Sequence, residues 1–180
     1  MSISDLLFAF TEWLRTTPIV NLSLWISETK ASLWIGSHFW AIPVMQNIHI
    51  LSIAGAFGSV LMIDMRILGF TGKGRTMSQT IRRYMPWIWW CLLLLIVSGI
   101  GMIVGEPVRE LVNPIFWIKM GLVILAILVS AGFHSSVRRN MARWEMSHDG
   151  RVAVRVGAVL VILLWFAIIF CGRWIAYAPV

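Results

Sequence analysis

The feature that most constrains this chain is a long apolar stretch, residues 40–68, that carries one histidine. Between Ile48 and Ile63 the apolar side chains are interrupted by His49 and two serines. About 20 residues, at roughly 1.5 Å each, are enough to cross the hydrocarbon core of a bilayer. A histidine in such a segment is costly unless it has a partner or a function. The stretch therefore predicts a membrane-spanning helix in which His49 is the position of most interest.

Helical periodicity places this histidine on a stripe of mostly small side chains. At about 100° per residue, the members of the stripe are Met45, His49, Ser52, Ala56 and Ser59. Two glycines, at positions 55 and 58, lie on the opposite side. The small residues leave room beside the imidazole for a flat ligand or another helix, and the glycines let a neighbouring backbone come close.

The composition assigns the chain to the integral membrane proteins. Of its 180 residues 59% are hydrophobic, and its mean hydropathy is +0.82. A soluble domain of this size needs far less apolar material. The net charge of +7 comes largely from basic residues between apolar segments, where they face the cytoplasm and anionic lipid. This placement indicates a membrane surface and argues against nucleic acid as a partner.

The apolar segments predict an all-α fold, an integral membrane up-down four-helix bundle with N-terminal amphipathic interfacial helices. Residues 1–37 are expected to lie on the membrane surface as two amphipathic pieces, around residues 4–14 and 21–34. Residues 38–180 are expected to form the bundle. Its spans are predicted at about 41–67, 84–104, 115–137 and 152–177.

Basic residues are distributed unevenly between the two sides of this bundle. Of the 15 lysines and arginines, ten belong to the first and third loops or their edges. The other five are Arg15, Lys30, Arg109, Lys119 and Arg173. The positive-inside rule then predicts a multi-pass protein of the bacterial inner membrane with both termini in the periplasm.

Three polar residues are predicted to cluster in the outer half of the bundle. From the span midpoints, His49 lies roughly 6 Å outside the bilayer centre, Lys119 about 10 Å and Arg173 about 13 Å. An imidazole with two cations further out suits haem b: His49 would bind the iron, and the cations would bind the propionates. The alternative is structural, with His49 bonded to a serine or a backbone carbonyl and both cations extended to the membrane surface.

The metal and its second ligand stay open at this point. The other histidine in a span, His134, is predicted about 18 Å from His49 along the membrane normal, too far for the two to share one iron. Other candidates for the second ligand are Met102, Met120 and Cys171, and a five-coordinate iron is the alternative. Together with Met45 and His49, these sulfur residues would also suit Cu(I).

Asp64 and His134 are predicted to lie together near the inner face, His134 about 12 Å inside the bilayer centre. A carboxylate beside an imidazole would move protons, because histidine titrates near neutral pH. Equally, the two would serve as a structural ion pair between helices. We expect them to share a hydrogen bond, directly or through water or Arg138. Two further histidines, His38 and His148, are expected on the surface.

Three segments resemble known membrane proteins: residues 38–70, residues 113–134 and CGRWIAYAP at residues 171–179. Over roughly residues 20–178 the chain resembles a family of uncharacterised small bacterial four-helix membrane proteins. The recurring polar positions of that resemblance are His49, Asp64, Lys119, His134 and Arg173. The segment FWIKMGLVIL is also similar, more distantly, to the copper-resistance D proteins and to the four-helix protoporphyrinogen oxidases. The resemblance implies haem, porphyrin or copper chemistry.

Together these observations predict a b-type cytochrome-like membrane protein that passes electrons between an outer donor and the quinone pool. Haem b is the expected cofactor and copper the alternative. His49 is the expected metal ligand, Lys119 and Arg173 are the expected cofactor-binding residues, and Asp64 and His134 are the expected catalytic pair. The expected partners are the bilayer, a quinone and a periplasmic or membrane redox protein, and a homo-oligomer or larger complex stays open. The alternative functions are a porphyrinogen-oxidase-like enzyme and a copper-handling or structural subunit of a larger membrane complex.

Overall fold

The computed structural model describes residues 3–71, 74, 76–139 and 148–177. Within them the chain forms eight α-helices, one 3-10 turn and no strand. In chain order these are α1 (Ile3–Arg15), α2 (Ile19–Ser27), α3 (Lys30–Ser37), α4 (Ala41–Leu68), α5 (Met77–Gly105), α6 (Pro107–Leu111), α7 (Pro114–Arg139), α8 (His148–Trp174) and the turn Ile175–Tyr177. Four of them, α4, α5, α7 and α8, are long and apolar enough to cross a membrane. The predicted class, an all-α membrane protein with four spans, is confirmed.

The N-terminal segment contains three helices where the sequence predicted two amphipathic pieces. The second piece divides between α2 and α3 because Thr29 leaves the helical conformation, with φ −68° and ψ 148°. Its side chain accepts a hydrogen bond from the backbone N–H of Ser32, which satisfies a donor that a helix start otherwise leaves unpaired. A threonine followed by helix-forming residues is therefore the local cause of the break.

Local sequence also determines where α4 ends and where α5 begins. Gly69 has a φ of +87°, a conformation that glycine adopts without strain. The N–H of Phe70 then reaches back to the carbonyl of Met65 at 3.0 Å, which closes the end of α4. At the start of α5, Thr76 and Gln79 cap one another's backbone N–H groups. This capping box starts the helix at residue 77, about two turns before the apolar span predicted from residue 84.

The described helices form two compact units, and each unit includes part of every spanning helix. The first unit contains the described residues of Met1–Ser52, Leu93–Gly121 and Ile169–Val180. The second unit contains those of Ile53–Leu92 and Leu122–Ile168.

The first unit has a small apolar core to which the N-terminal helices contribute. The buried residues of this core are Leu111, Ile115, Phe116 and Ile175. Leu7, Ile19 and Ile26, from α1 and α2, pack against it. Asn113 is fully buried beside it and donates from Nδ2 to the carbonyl of Ile175. The amide thereby ties the start of α7 to the turn that follows α8.

In the first unit, α4 and α5 come into close contact through glycines on α5. A Cβ atom at Gly101 would lie 2.6 Å from Sδ of Met45, and one at Gly105 would overlap Ile42. Larger side chains at these positions would push the helices apart. Gly101 contacts Met45, whereas Gly105, later in α5, contacts Ile42, which comes earlier in α4. The two helices are therefore antiparallel, as predicted for consecutive spans.

The second unit has its own core, which all four spanning helices supply. Its fully buried apolar residues include Ala56, Val60, Ile63, Ile81, Ala126, Ala158 and Val161. Phe57 of α4 contacts Trp165 and Phe166 of α8, with ring centroids 6.4 and 5.2 Å apart. Two ionisable side chains, Asp64 and His134, are buried in the same core.

Candidate functional site

Among the described residues, each unit contains a cluster of ionisable and polar side chains on its spanning helices. In the first unit His49, Ser98 and Lys119 form a cluster that we call the histidine site. In the second unit Asp64 and His134 form what we call the aspartate–histidine pair. All five residues lie on helices that are long enough to span a membrane, where polar side chains are costly and usually functional.

His49 is held by Ser98 of α5. Its Nδ1 lies 2.9 Å from Oγ of Ser98, and that hydroxyl lies 2.6 Å from the carbonyl of Leu94. A hydroxyl has one hydrogen to donate, and the carbonyl can only accept. Ser98 therefore donates to Leu94 and accepts from Nδ1–H of His49. This assignment leaves Nε2 of the neutral imidazole with a free lone pair.

Lys119 of α7 brings a positive charge to the histidine site. It interacts electrostatically with His49, Glu110 and Cys171. A Cβ atom at Gly172 of α8 would lie 4.0 Å from its Nζ, so the α8 backbone passes close to the ammonium group. Within the described part of the chain, no side chain forms a hydrogen bond with this Nζ. The ammonium group can therefore donate to an anionic ligand.

Glu110, at the end of α6, is the carboxylate that acts on Lys119. Burial raises the pKa of Glu110 above its ordinary value of 4.5, and the positive charges of Lys119 and Arg109 act in the opposite direction. The nearby charge of Glu106 adds to the increase. Because burial is the largest of these effects, the carboxyl of Glu110 holds its proton more tightly than it would in water.

Arg173, the second predicted cation, is exposed and has a different partner. Its Nη2 donates to the hydroxyl of Tyr177 at 2.8 Å, and its guanidinium carbon lies 5.2 Å from the centre of the same ring. Among the described contacts Arg173 has none with His49. The structure thus places Lys119 within electrostatic reach of His49, whereas Arg173 is held near the end of α8.

The aspartate–histidine pair is the most deeply buried polar contact among the described residues. Nε2 of His134 lies 2.9 Å from Oδ1 of Asp64, and the two side chains are 2% and 0% exposed. The predicted direct hydrogen bond between them is confirmed. The other carboxylate oxygen, Oδ2, has no hydrogen-bond partner within the described part of the chain. The side chain of Arg138, the predicted alternative bridge, lies outside what the structure describes, and the catalytic role of the pair stays a prediction.

No group of three or more His, Cys, Asp and Glu side chains that could hold a metal lies among the described residues. Two of the sulfur residues weighed for copper contact other parts of the fold. Met45 packs against Gly101, and Cys171 packs against the core around Phe116. His38 is on the surface, as predicted, with Nδ1 2.7 Å from the carbonyl of Trp34. The side chain of His148 is outside the described residues.

Sequence reasoning missed the partners of two predicted residues. The sequence gives an unspecified serine as an alternative partner of His49, but it does not single out Ser98. Glu110 was not noted as the counter-charge of Lys119. For Ser98 the available signal was a hydroxyl in the middle of an apolar span, opposite the histidine in an antiparallel neighbour. For Glu110 it was a carboxylate nine positions before a lysine, across a short turn.

Comparison with known proteins identifies a family and no function. The model of a family of unknown function, DUF6644, matches residues 22–178, which is most of the chain. No curated protein and no solved structure matches the chain significantly. The distant similarity to the copper-resistance D proteins and the protoporphyrinogen oxidases stays a prediction.

Proposed function

We propose that this chain, which belongs to the DUF6644 family of unknown function, is a b-type cytochrome-like electron-transfer protein of the bacterial inner membrane. In that role His49 would hold the haem iron through Nε2, and the haem would supply one-electron transfer between a donor on the outer side and the quinone pool. The observation that carries the proposal is the hydrogen-bond chain from His49 through Ser98 to Leu94.

This chain supports the proposal because it gives His49 the properties of a metal-binding histidine. Metal-ligating histidines nearly always donate their other ring N–H to an acceptor, which fixes the tautomer and the orientation of the ring. Ser98 is such an acceptor, since its own hydrogen is used by the carbonyl of Leu94. A hydrogen bond from His49 to a serine is also what the structural alternative predicts, so the visible spectrum of the protein decides between the two.

Lys119 supports the same assignment through its charge. A haem b carries two propionates, which require cations or water when the group lies in a membrane protein. Lys119 offers a half-buried ammonium group in the same unit as His49. Arg173, exposed near the end of α8, offers a second cation on the aqueous side.

The proposal is tested by the visible spectrum of the protein purified from cells that are supplied with haem. The wild type should show a Soret band and a reduced-minus-oxidised difference spectrum. His49→Ala should abolish or severely shift the Soret band, because the iron loses its ligand. His38→Ala is the matched control, since His38 is a partly exposed histidine of the same unit, and it should leave the spectrum unchanged.

Two further variants separate ligation from simple retention of a hydrophobic cofactor. Ser98→Ala should keep the iron ligand but weaken haem affinity by about 10–100-fold, the usual effect of removing a residue that orients a metal ligand. Lys119→Ala should keep haem bound and lower its midpoint potential, because removing a positive charge favours the oxidised form. A haem-replete wild type without a Soret band, or a His49→Ala protein with an unchanged one, would refute haem ligation by His49.

A further inference from the structure

The aspartate–histidine pair of the second unit takes no part in the proposed haem ligation. Asp64 of α4 and His134 of α7 are both almost completely buried, and they share one hydrogen bond. Among the described side chains of this unit, Asp64 is the sole carboxylate and His134 the sole histidine. The titration of each is therefore not overlaid by that of another described carboxylate or imidazole of this unit.

A purely structural pair would be expected to satisfy both carboxylate oxygens. Buried carboxylate oxygens accept hydrogen bonds almost without exception, because an unpaired one keeps the full cost of leaving water. Oδ1 of Asp64 is satisfied by His134, but Oδ2 has no partner in the described part of the chain. Oδ2 can therefore still accept a hydrogen bond or a proton.

We propose that the aspartate–histidine pair is a proton-binding site, which takes up and releases one proton through Oδ2 of Asp64. With the carboxylate ionised, Nε2–H of the neutral His134 donates to Oδ1, since a carboxylate can only accept. A hydronium ion then donates its proton to Oδ2. One O–H bond forms on the carboxyl group, a water molecule leaves, and no electron is transferred. The net charge of the pair changes from minus one to zero.

The surroundings favour this neutral, protonated state over a buried anion. The ring of Phe133 lies beside His134, with centroids 5.6 Å apart, and adds no polar group. On the elements of this unit, the described cations besides Arg66 of α4 are the exposed Arg82 and Arg83 of α5, Arg139 of α7 and Arg155 of α8. Charges that water screens stabilise a buried carboxylate weakly. Among these groups, His134 is the one that forms a hydrogen bond with Asp64.

The proposal is tested with a hydrophobic carbodiimide, which modifies protonated carboxyl groups within the membrane, followed by mass spectrometry to locate the label. In the wild-type protein Asp64 should be labelled at low pH and progressively less as the pH rises. Asp64→Asn should lose this label. Glu110→Gln removes a half-buried carboxyl of the other unit and is the matched control, so labelling of Asp64 should not change. The denatured chain shows that the peptide can be labelled and detected.

His134→Gln distinguishes a proton site from a structural hydrogen bond. The amide can still donate to Oδ1, but it is a weaker donor than the imidazole and cannot become a cation. Labelling of Asp64 should therefore persist to higher pH in this variant than in the wild type. Infrared difference spectra of the wild type, recorded against pH, should show a carboxyl C=O band that Asp64→Asn removes. If Asp64 is never labelled and no such band titrates, the pair is a permanent structural contact and the proposal is overturned, whether or not the variants fold. Because this test involves no haem, its outcome is independent of the proposed function of His49.

Discussion

Ser98 determines how His49 can react, and the sequence could not identify this partnership. His49 was found from the sequence because a lone imidazole in an apolar span is costly and therefore conspicuous. Its partner depends on which face of α5 meets α4, and that is set by Gly99, Gly101 and the side chains that pack on them. Nearly all the residues around Ser98 in α5 are apolar. The hydropathy of α5 therefore does not show which of its faces meets α4. The buried contact of Asp64 with His134 was predictable, since a membrane carboxylate needs a partner.

Glu110 provides a prediction at the same scale, on pH dependence. Burial raises its pKa above the ordinary 4.5, so the folded protein binds this proton more tightly than the unfolded chain does. The contribution of the group to stability is complete below the ordinary pKa and is lost as the pH rises through the raised one. Between about pH 4 and about pH 7, the wild type should therefore lose more thermal stability than Glu110→Gln does.

Thermal unfolding in detergent at several pH values measures this difference. Glu12→Gln is the control, because it removes an exposed carboxyl that pairs with Arg15, and it should keep the wild-type pH profile. Parallel curves for Glu110→Gln and the wild type would show that burial does not govern this carboxyl.

The three N-terminal helices have an unusual distribution of side chains. They bury small hydroxyl residues, Thr11, Ser23 and Ser32, and Thr11 and Ser23 donate to carbonyls of their own helix. Their large apolar side chains are mostly exposed, among them Leu6, Phe8, Trp13, Leu22, Leu24, Trp25, Leu33 and Trp34. Such a surface is unfavourable in water and favourable at the membrane interface, where tryptophan is enriched. This supports the proposed position of residues 1–37 on the membrane surface. The sequence predicted the amphipathic pieces, but the direction of the apolar faces depends on packing against α6 and the core around Phe116.

The position of these helices is tested with single cysteines at Ser4 and Ser27. Both residues are on the N-terminal helices, and charged residues such as Glu12, Arg15 and Lys30 make it too costly for this segment to cross the membrane. Each introduced thiol should react with a membrane-impermeant reagent added to the outside of intact cells. The unsubstituted chain is the control, since Cys91 and Cys171 lie on spanning helices. Labelling that requires lysis would place the segment on the cytoplasmic side.

At the scale of the whole molecule, the two polar clusters can be tested separately. The histidine site is complete within the first unit, and the aspartate–histidine pair is complete within the second. A substitution in one cluster should therefore leave the hydrogen bonds within the other cluster intact.

The number and approximate limits of the spans followed from hydropathy alone, because a bilayer requires about 20 apolar residues whatever the packing. The divisions within the N-terminal segment and the first two turns of α5 depend on cap interactions that hydropathy does not report.

The orientation of the whole chain follows from charge and forms the last prediction. Ten basic residues belong to the first and third loops and their edges, and five to the other side. Because cytoplasmic loops retain lysine and arginine, both termini are expected in the periplasm. Reporters fused after residues 75 and 145 should show that these positions lie in the cytoplasm. A reporter fused to the C-terminus should show that this end lies in the periplasm. Neutralising Lys73, Arg75, Arg82 and Arg83 should give mixed orientations, whereas neutralising the five on the other side should not. Cytoplasmic activity of the C-terminal reporter in the unaltered protein would reverse this topology, and with it the assignment of the histidine site to the outer side of the membrane.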